Sequence, residues 1–472
     1  MVTFAQAAKN TVTEARTWNG MKAQTSTLRE TVDLFFKIGA SRGKDITAQF
    51  ERAYQEDPNV ALRIAQWVRD VRGGAGERKL FRDILLHLET YHQDALLDTK
   101  ILNNVAEIGR FDDLLVFQTP QVRERAFTLI AMALSAGNGL AAKWMPRKGP
   151  VAAELREFLQ LSPKQYRKLL VRLTNVVETQ MCAREFDAIN FSHVPSLAMS
   201  RYTKAFAKRA PEAFTAYKEA LKKGDPKVAK INAGAVYPYD IIKNLRYSRD
   251  TTIADAQWEA LPDYMTDANV LPLVDVSGSM TCPAGGYGSK ATFSCLDVAV
   301  SLGLYCADKN KGAFKDMFLT FSAKSKIVQL KGTLSQKQAQ MEDSEWGMNT
   351  DLHSAFNEIL RVATTHRVAE ADMPKILLIL SDMQFDSCMK YDNSAIEMIR
   401  RKYEEAGYQV PNIVFWNLNA ADNVPVSFNE KGVALVSGFS PSIMKAVLGA
   451  DLDSMTPEAI MLKTVMSDRY AL

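Results

Sequence analysis

Apolar residues recur with helical spacing through the first 260 residues of the chain. Val60, Ile64 and Trp67 illustrate the pattern, which continues through many segments of similar length. Helix starts are marked at 57–58 and 162–163, where an aspartate and a serine each precede a proline. The pattern predicts an all-α part over residues 1–260. So many helices on short loops favour a stacked, HEAT-like helical-repeat array over a four-helix bundle, although no strict repeat is visible.

The pattern changes from about residue 268. Short apolar runs such as NVLPLVDV, KILLILSD and NIVFWNLN now alternate with helical segments. This alternation predicts a mostly parallel sheet covered on both faces, and therefore an α/β, Rossmann-like domain over residues 268–472. Residues 376–380 are apolar at every position, as expected of a central strand. In such a sheet, ligands bind beyond the carboxyl ends of the strands.

Composition is consistent with a folded, multidomain protein. The 472 residues are too many for one ordinary core, and 47% of them are hydrophobic against 24% charged. No apolar run approaches the ~18 residues that span a bilayer, and the first 20 residues lack a signal-peptide pattern. We therefore expect a cytoplasmic protein without membrane association. Five cysteines with no CxxC pair indicate neither a disulfide framework nor a zinc site, and reduced thiols are expected.

Charge is divided unevenly along the chain. Residues 1–260 hold 39 Lys and Arg against 29 Asp and Glu, whereas residues 261–472 hold 19 against 25. The basic excess is concentrated between residues 141 and 250. It favours a polyanionic partner for the helical part, although solvated helix faces would give the same composition.

The strongest candidate chemistry lies at the predicted strand ends. Asp275, Ser277 and Ser279 follow the apolar run 271–274 directly, within the string DVSGS. Thr350 opens a later helix, and Asp382 follows the predicted central strand. Carboxylate and hydroxyl oxygens suit a hard cation, because Mg²⁺ prefers oxygen ligands in octahedral geometry. The sequence therefore predicts a site for Mg²⁺ or Mn²⁺.

This DxSxS string, followed by T and D, resembles the metal-ion-dependent adhesion site, or MIDAS, of von Willebrand factor A domains. The string LTFSAKSKIV is similar to that family's second and third strands. The resemblance implies that Ser277, Ser279 and Thr350 coordinate the ion directly, while Asp275 and Asp382 act through waters. Neutral ligands would leave the ion electrophilic, with one position open to a carboxylate or phosphate of a partner.

Two alternatives compete with this metal site. The loop could be a polar turn without function, or it could be the nucleophile loop of a haloacid-dehalogenase-like phosphatase. The phosphatase is disfavoured, because its second aspartate is replaced by Ser277, which cannot exchange a proton near neutral pH. His353 is the one histidine beside these loops, and we interpret it as a helix-surface residue. No catalytic triad or general base is apparent, so we expect a protein that is not an enzyme.

The combination of a helical part and a terminal A domain resembles the Ro ribonucleoprotein, or TROVE, architecture. Several strings are closer to a Ro-like family with viral, phage, bacterial and plant members: RDVRGGAGER, IGRFDDLL, AAKWMP, FSHVPSLAMSRYTKAF and VFWNLN. The resemblance implies a ring that binds structured or misfolded RNA. An RNA-binding function stays a hypothesis at this point.

A glycine-rich string at 73–76 offers a candidate phosphate site. Free N–H groups at a helix start, with arginines beside them, favour anions. The alternative is an interhelical turn whose arginines pair with Asp70 and Glu77. The string is not a P-loop, since it lacks the GK[ST] ending. The candidate RNA-binding residues are Arg72, Arg78, Lys79, Arg147, Lys148, Arg167 and Lys168.

Two functions remain open from the sequence. One is a Ro-like RNA-binding ring that carries a metal-binding A domain. The other is an adaptor that grips an acidic residue of a partner protein through the metal, as A domains that work with MoxR-type AAA+ ATPases do. The basic helical part favours the first, and the open metal position favours the second.

Overall fold

A computed structural model describes residues 14–472 except 18, 248–249, 266–268, 287–288, 290, 323, 345–349, 386–394, 421–422 and 450. The described chain forms a helical N-terminal part followed by a C-terminal part built on a mixed β-sheet. The prediction of a helical part followed by a part that contains a β-sheet is therefore confirmed.

The first elements among the described residues form a short antiparallel hairpin, which the periodicity did not predict. Its strands are β1 (Glu14–Arg16) and β2 (Lys22–Gln24). The helices that follow are α1 (Glu30–Ile38), α2 (Thr47–Glu56), α3 (Pro58–Arg69), α4 (Arg78–Tyr91), α5 (Gln93–Leu97), α6 (Ile101–Ile108), α7 (Pro120–Ser135), α8 (Gly139–Trp144), α9 (Pro150–Phe158), α10 (Pro163–Leu173), α11 (Val177–Ala183), α12 (Ser196–Arg209), α13 (Pro211–Lys222), α14 (Pro238–Tyr247) and α15 (Thr252–Glu259).

The predicted helix starts are confirmed by their hydrogen bonds. The Asp57 carboxylate accepts from the N–H of Val60 at 3.0 Å, and Pro58 occupies the first position of α3. Ser162 caps α10 with a capping box, in which the Gln165 amide oxygen accepts the N–H of Ser162 at 2.9 Å. Each cap satisfies N–H groups that have no partner inside the helix. These local signals fix where the helices begin.

The C-terminal part alternates strands and helices as the sequence predicts. Its elements in chain order are β3 (Val270–Val274), α16 (Cys295–Lys309), β4 (Met317–Thr320), β5 (Ile327–Gln329), α17 (Leu334–Glu342), α18 (Leu352–His366), β6 (Ile376–Ser381), α19 (Ala395–Glu405), β7 (Asn412–Asn417), β8 (Val433–Ser437), α20 (Met444–Leu448) and α21 (Pro457–Val465).

Within the described residues, the sheet has the strand order β5-β4-β3-β6-β7-β8, and every pair is parallel except β4 with β5. The chain passes from β3 to β4 on one side and later returns to β6 on the other side of β3. The carboxyl ends of β3 and β6 therefore flank the point where the strand order reverses. Ligands of open α/β sheets bind at such a point.

One cluster of buried apolar side chains runs from the helical part into the sheet. It includes Phe35 and Trp67 of α1 and α3, whose ring centroids lie 4.6 Å apart, and also Val274, Leu380 and Trp416 of the sheet. The two parts therefore share this core, while a separate apolar cluster lies within residues 177–253 of the helical part. The opposite face of the sheet packs mainly on α18 and α19 in a second cluster.

Buried polar contacts fasten α1 to the ends of β7 and β8. The Ser437 hydroxyl donates to the carbonyl oxygen of Phe35 at 2.7 Å, and the N–H of Gly39 donates to that hydroxyl oxygen at 3.0 Å. The Asn417 amide donates to the carbonyl oxygen of Phe36 at 3.2 Å. These bonds replace water at carbonyl and N–H groups that a helix end leaves unpaired.

Residues near the end of the helical part contact the turn that follows α3. The Tyr237 and Tyr264 hydroxyls donate to the carbonyl oxygens of Val71 and Arg72, at 3.4 and 3.3 Å. Helix α14 also packs on α16 of the C-terminal part. Both ends of the helical part are thereby held, one against β8 and one against α16.

Two further sequence expectations can be compared with the described residues. No helix among them is both long and apolar enough to cross a membrane. Cys182, Cys282, Cys295 and Cys306 are free thiols, and Cys388 lies outside the described residues.

The contact between α1 and β8 predicts the effect of adding one methyl group. A Cβ at Gly39 would lie 2.4 Å from the carbonyl oxygen of Ser437, so Gly39→Ala should destabilise the protein by about 1–3 kcal/mol. Gly234→Ala is the matched control, since no atom lies within 4 Å of its added Cβ. Thermal unfolding of both variants measures the difference. Equal stability of the two variants would contradict the described packing.

Candidate metal centre

The candidate metal site lies where β3 and β6 end. Val274 pairs with Leu380 in the parallel ladder, and the N–H of Asp275 donates to the carbonyl oxygen of Leu380 at 3.0 Å. Asp275, the first residue after β3, therefore lies opposite Ser381, the last residue of β6. Asp382 is the first residue after β6. The two aspartates that the sequence singled out thus meet at the edge of the sheet.

The Asp275 side chain is fully buried and held at both oxygens. Its Oδ1 accepts from the N–H of Ser277 at 3.0 Å, and its Oδ2 accepts from the Ser381 hydroxyl at 2.6 Å. Burial, together with the neighbouring Asp382 carboxylate, raises the pKa of Asp275 to about 7. The position is fixed, and its negative charge is poorly compensated.

Asp382 is almost as deeply buried, and one of its oxygens lacks a partner. Oδ1 accepts from the N–H of Gln384 at 3.2 Å, whereas Oδ2 is buried and has no hydrogen-bond partner among the described residues. Burial raises the pKa of this carboxyl, and the nearby Ser279 hydroxyl opposes the shift. In the described chain, neither Asp275 nor Asp382 forms an ion pair with a basic side chain. A cation would supply the missing compensation.

Three hydroxyls complete the predicted set. The Oγ atoms of Ser277 and Ser279 lie 3.0 Å apart, with Ser277 buried and Ser279 exposed. Thr350 is buried, and its hydroxyl donates to the carbonyl oxygen of Gln384 at 2.7 Å. Because Gln384 lies two residues beyond Asp382, this bond ties the Thr350 loop to the β6 loop. The fold brings the three separated sequence elements together at one edge of the sheet.

The donor set fits a small, hard divalent cation. All five side chains present oxygen, and one buried carboxylate oxygen is left without a proton donor. Mg²⁺ is held in proteins by one or two carboxylates together with other oxygens and water. The exposed Ser279 lies on the side open to solvent. The residues therefore could hold Mg²⁺ or Mn²⁺.

Three residues of this site were missed by the sequence analysis. Ser381 positions Asp275, and Gln384 receives the Thr350 hydroxyl. Asn19, in the β1–β2 hairpin, donates to Gln384 O at 3.0 Å and to Thr350 Oγ1 at 3.3 Å. Ser381 could have been suspected, since it directly precedes Asp382. Nothing in the sequence indicates that Asn19 reaches a loop more than 300 residues away.

The glycine-rich string forms a packed turn between α3 and α4. The N–H groups of Gly74 and Ala75 donate to the carbonyl oxygens of Asp70 and Trp67, and a Cβ at Gly74 would lie 1.9 Å from the oxygen of Trp67. Asp70 and Glu77 pair with Arg469 and Arg42 instead of with the arginines of the turn. The prediction that Asp70 and Glu77 pair with arginines of the turn is therefore wrong, because the tertiary fold brings Arg469 and Arg42 to these two acids.

The seven predicted RNA-binding residues are all exposed and lie on three separate segments of the helical part. Arg72, Arg78 and Lys79 lie at the α3–α4 turn, Arg147 and Lys148 follow α8, and Arg167 and Lys168 lie on α10. Of these residues, Arg147 lines a cavity of about 890 Å³ in the helical part. A role for any of them in RNA binding stays a prediction.

That cavity is basic and partly aromatic. Its walls include Arg69, Arg110, Lys143, Arg147, Arg201, Trp144 and Tyr202. Arg69 pairs with Asp113 at 2.8 Å, Arg110 pairs with Asp112, and Lys143 lies 3.7 Å from Glu178, which also lines the cavity. The Arg110 guanidinium lies 3.3 Å from the centre of the Trp144 ring. Within the described residues, Arg147 and Arg201 have no acidic partner. Arg201, Trp144 and Tyr202 lie in strings that carry the family resemblance. The sequence did not indicate that Trp144 lines one cavity with Arg201 and Tyr202, which lie more than 50 positions further along the chain.

Comparisons with known proteins divide the chain close to residue 270. Residues 269–468 match a family described as "Domain of unknown function (DUF7788)". The chain is also similar to "Uncharacterized protein L728" of Acanthamoeba polyphaga mimivirus, at 29% identity over 497 residues that cover 92% of this chain and 84% of that protein. Residues 17–108 and 128–271, together half of the chain, match the family described as "Domain of unknown function (DUF2828)", and the chain belongs to that family.

Proposed function

We propose that this protein is a non-catalytic binding protein that grips an acidic group of a partner through a Mg²⁺ ion at the ends of β3 and β6. The observation that carries the proposal is the pair of buried carboxylates, Asp275 and Asp382, with Asp382 Oδ2 lacking any hydrogen-bond donor among the described residues. Two adjacent buried carboxylates without a counter-charge are costly. A bound divalent cation would turn this cost into stabilisation.

We further propose that residues 268–472 form a von Willebrand factor A domain. The proposal is supported by the parallel sheet, by the antiparallel edge pair β4–β5 and by the order of the polar residues at the strand ends. In that assignment Ser277, Ser279 and Thr350 contact the ion, and the two aspartates orient the hydroxyls and waters around it. The neutral hydroxyl ligands leave the ion able to attract a carboxylate.

A binding role fits the side chains around the site better than catalysis. Ser277 occupies the place where a haloacid-dehalogenase-like phosphatase needs a proton-exchanging aspartate. His353 is engaged elsewhere, since Lys402 Nζ lies 2.5 Å from its Nε2 and the Asn357 amide lies 3.1 Å from its Nδ1. We therefore assign the site to capture of a partner, with the exposed Ser279 marking the side of approach.

The metal proposal predicts a Mg²⁺-dependent gain in stability. Mg²⁺ at ~100 times its dissociation constant should stabilise the wild-type protein by ~2.7 kcal/mol, because it binds only the folded state. Asp382→Asn keeps the acceptor for the Gln384 N–H and removes one buried charge. This variant should unfold at or above the wild-type temperature without metal and should not respond to Mg²⁺. Calorimetric titration and thermal unfolding of EDTA-treated protein measure both effects.

Asp343→Asn is the matched control for this experiment. Asp343 is an exposed aspartate at the end of α17, so its variant should respond to Mg²⁺ as the wild-type protein does. A full Mg²⁺ response in both Asp382→Asn and Asp275→Ala would show that the strand-end site is not where the ion binds.

RNA binding is a second candidate function, and the basic cavity of the helical part favours it. Arg147 and Arg201 would neutralise phosphates, while Trp144 and Tyr202 offer ring faces on which bases stack. In this function the ligand would be a structured or misfolded RNA with a single-stranded end.

RNA affinity, if present, should fall steeply with salt, because each neutralised phosphate releases counterions. The double variant Arg147→Glu, Arg201→Glu should bind structured RNA more weakly and flatten the salt slope by ~0.7 to 0.9 for each lost contact. Lys311→Glu with Lys331→Glu makes the same charge change on exposed residues of the C-terminal part and should leave the slope unchanged. Fluorescence anisotropy of full-length, nucleic-acid-free protein measures these slopes. No affinity at ~50 mM salt would eliminate the RNA function and leave the metal proposal standing.

A further inference from the structure

Two of the five histidines of the chain converge on one carboxylate in the helical part. Glu51 Oε2 lies 2.7 Å from Nε2 of His87 and 2.9 Å from Nε2 of His92. The three atoms all lie within 4.8 Å of one another. The cluster belongs to the helical part, whereas the strand-end site lies on the C-terminal sheet, so the two sites share no residue.

Two packed helices create the cluster. Glu51 lies in the middle of α2, His87 lies near the end of α4, and His92 is the first residue after α4. Helices α2 and α4 pack against each other, which closes the gap between residues that are 36 and 41 positions apart in the sequence. A ligand held by all three residues would join the two helices.

Neighbouring side chains hold the three groups in place. The Gln55 amide donates to the other Glu51 oxygen, Oε1, at 2.7 Å. The ring centroids of Tyr54 and His92 lie 4.1 Å apart. Those of Phe50 and His87 lie 6.1 Å apart, and these two rings are nearly perpendicular. The Gln55 hydrogen bond is of the kind that orients a metal-binding carboxylate, and the ring contacts restrict the movement of the two imidazoles.

A hydrogen-bonded Glu–His–His cluster without metal is the ordinary alternative. In that state one carboxylate oxygen accepts an N–H from each ring, and both rings must carry the proton on Nε2. A glutamate side chain is ionised at neutral pH, and Glu51 faces two nitrogens that a metal ion can take in place of their protons.

The donor set selects the class of ion. Two imidazole nitrogens with one carboxylate oxygen suit Zn²⁺ and similar transition metals, whereas Mg²⁺ prefers oxygen alone. Ligand atoms around tetrahedral Zn²⁺ stand roughly 3.3 Å apart, given bonds of about 2.0–2.1 Å. The separations of 2.7 and 2.9 Å need to widen by about half an ångström. The Glu51 side chain is 32% exposed and His92 is 19% exposed, so small rotations of these side chains can provide the room.

We propose that Glu51, His87 and His92 form a Zn²⁺ site that fastens α2 to α4 and leaves a fourth position open to water. The site is independent of the strand-end metal centre, both in residues and in the ion that it selects. Because binding requires the folded helix pair, Zn²⁺ stabilises that pair against local opening.

The test uses full-length protein stripped with EDTA and then titrated with Zn²⁺, and with Co²⁺ as a spectroscopic probe. The wild-type protein should bind one Zn²⁺ at this site, and hydrogen exchange of α2 and α4 amides should slow when it binds. Glu51→Gln and the double variant His87→Ala, His92→Ala should each weaken binding at least about 100-fold, since loss of an outer-shell partner alone costs 10- to 100-fold.

Two control variants separate this site from an exposed histidine and from the strand-end metal centre. His366→Ala removes a histidine at the end of α18 and should leave Zn²⁺ affinity unchanged. Asp382→Asn should abolish the Mg²⁺ response and keep Zn²⁺ binding, so failure of one proposal is visible without failure of the other.

Two results would overturn the zinc proposal. One is unchanged Zn²⁺ affinity in the double histidine variant. The other is a thiolate-to-cobalt charge-transfer band, which would place the ion at cysteines such as Cys282 and Cys295, whose Sγ atoms lie 3.6 Å apart. The circular dichroism spectrum of each variant checks its helix content, and Glu51→Gln keeps the shape of the side chain. A loss of Zn²⁺ binding in folded Glu51→Gln protein supports the site directly.

Discussion

The parallel pairing of β3 with β6 is the constraint on which the candidate metal centre depends. Because Val274 lies opposite Leu380, both strands end at the same edge, and Asp275 and Asp382 enter one buried space. A shift of one residue would turn the side chains of one strand to the other face of the sheet. Residues 270–274 and 376–380 are apolar on both faces, so alternation of apolar and polar residues does not fix this register, and the packing of particular side chains must do so. The same packing that excludes water makes the two carboxylates costly without a cation.

The helical part and the sheet are mechanically connected at several points. Their shared core runs from Phe35 and Trp67 into the sheet, and Ser437 binds the end of α1. The β1–β2 hairpin extends the connection, because Asn19 hydrogen-bonds both Thr350 and Gln384 beside the metal centre. The loops at the strand ends are therefore in direct contact with the part of the chain that precedes the sheet.

The two candidate metal sites differ in the chemistry of their donors, which lets them coexist. The strand-end site offers only oxygen, from buried carboxylates and hydroxyls, and suits a hard ion. The α2–α4 cluster offers two imidazole nitrogens and one carboxylate, and suits zinc. The cavity lined by residues of α8 and α12 is chemically distinct from both, because its walls carry basic side chains and aromatic rings. The three sets of side chains therefore suit different classes of ligand.

The sequence by itself determined the helices of the first part, the alternating elements of the second and the polar residues at the strand ends. Those features depend on neighbouring residues, through apolar periodicity and through caps such as Asp57 and Ser162. Only the tertiary structure decided the shared core, the approach of Asn19 to Thr350 and the meeting of Glu51 with its two histidines. The sequence has no CxxC pair, and we therefore expected no zinc site. That argument concerns cysteines and says nothing about a glutamate and two histidines on separate elements. These groups meet because helices and strands far apart in sequence pack together, and no local pattern records which elements will be neighbours.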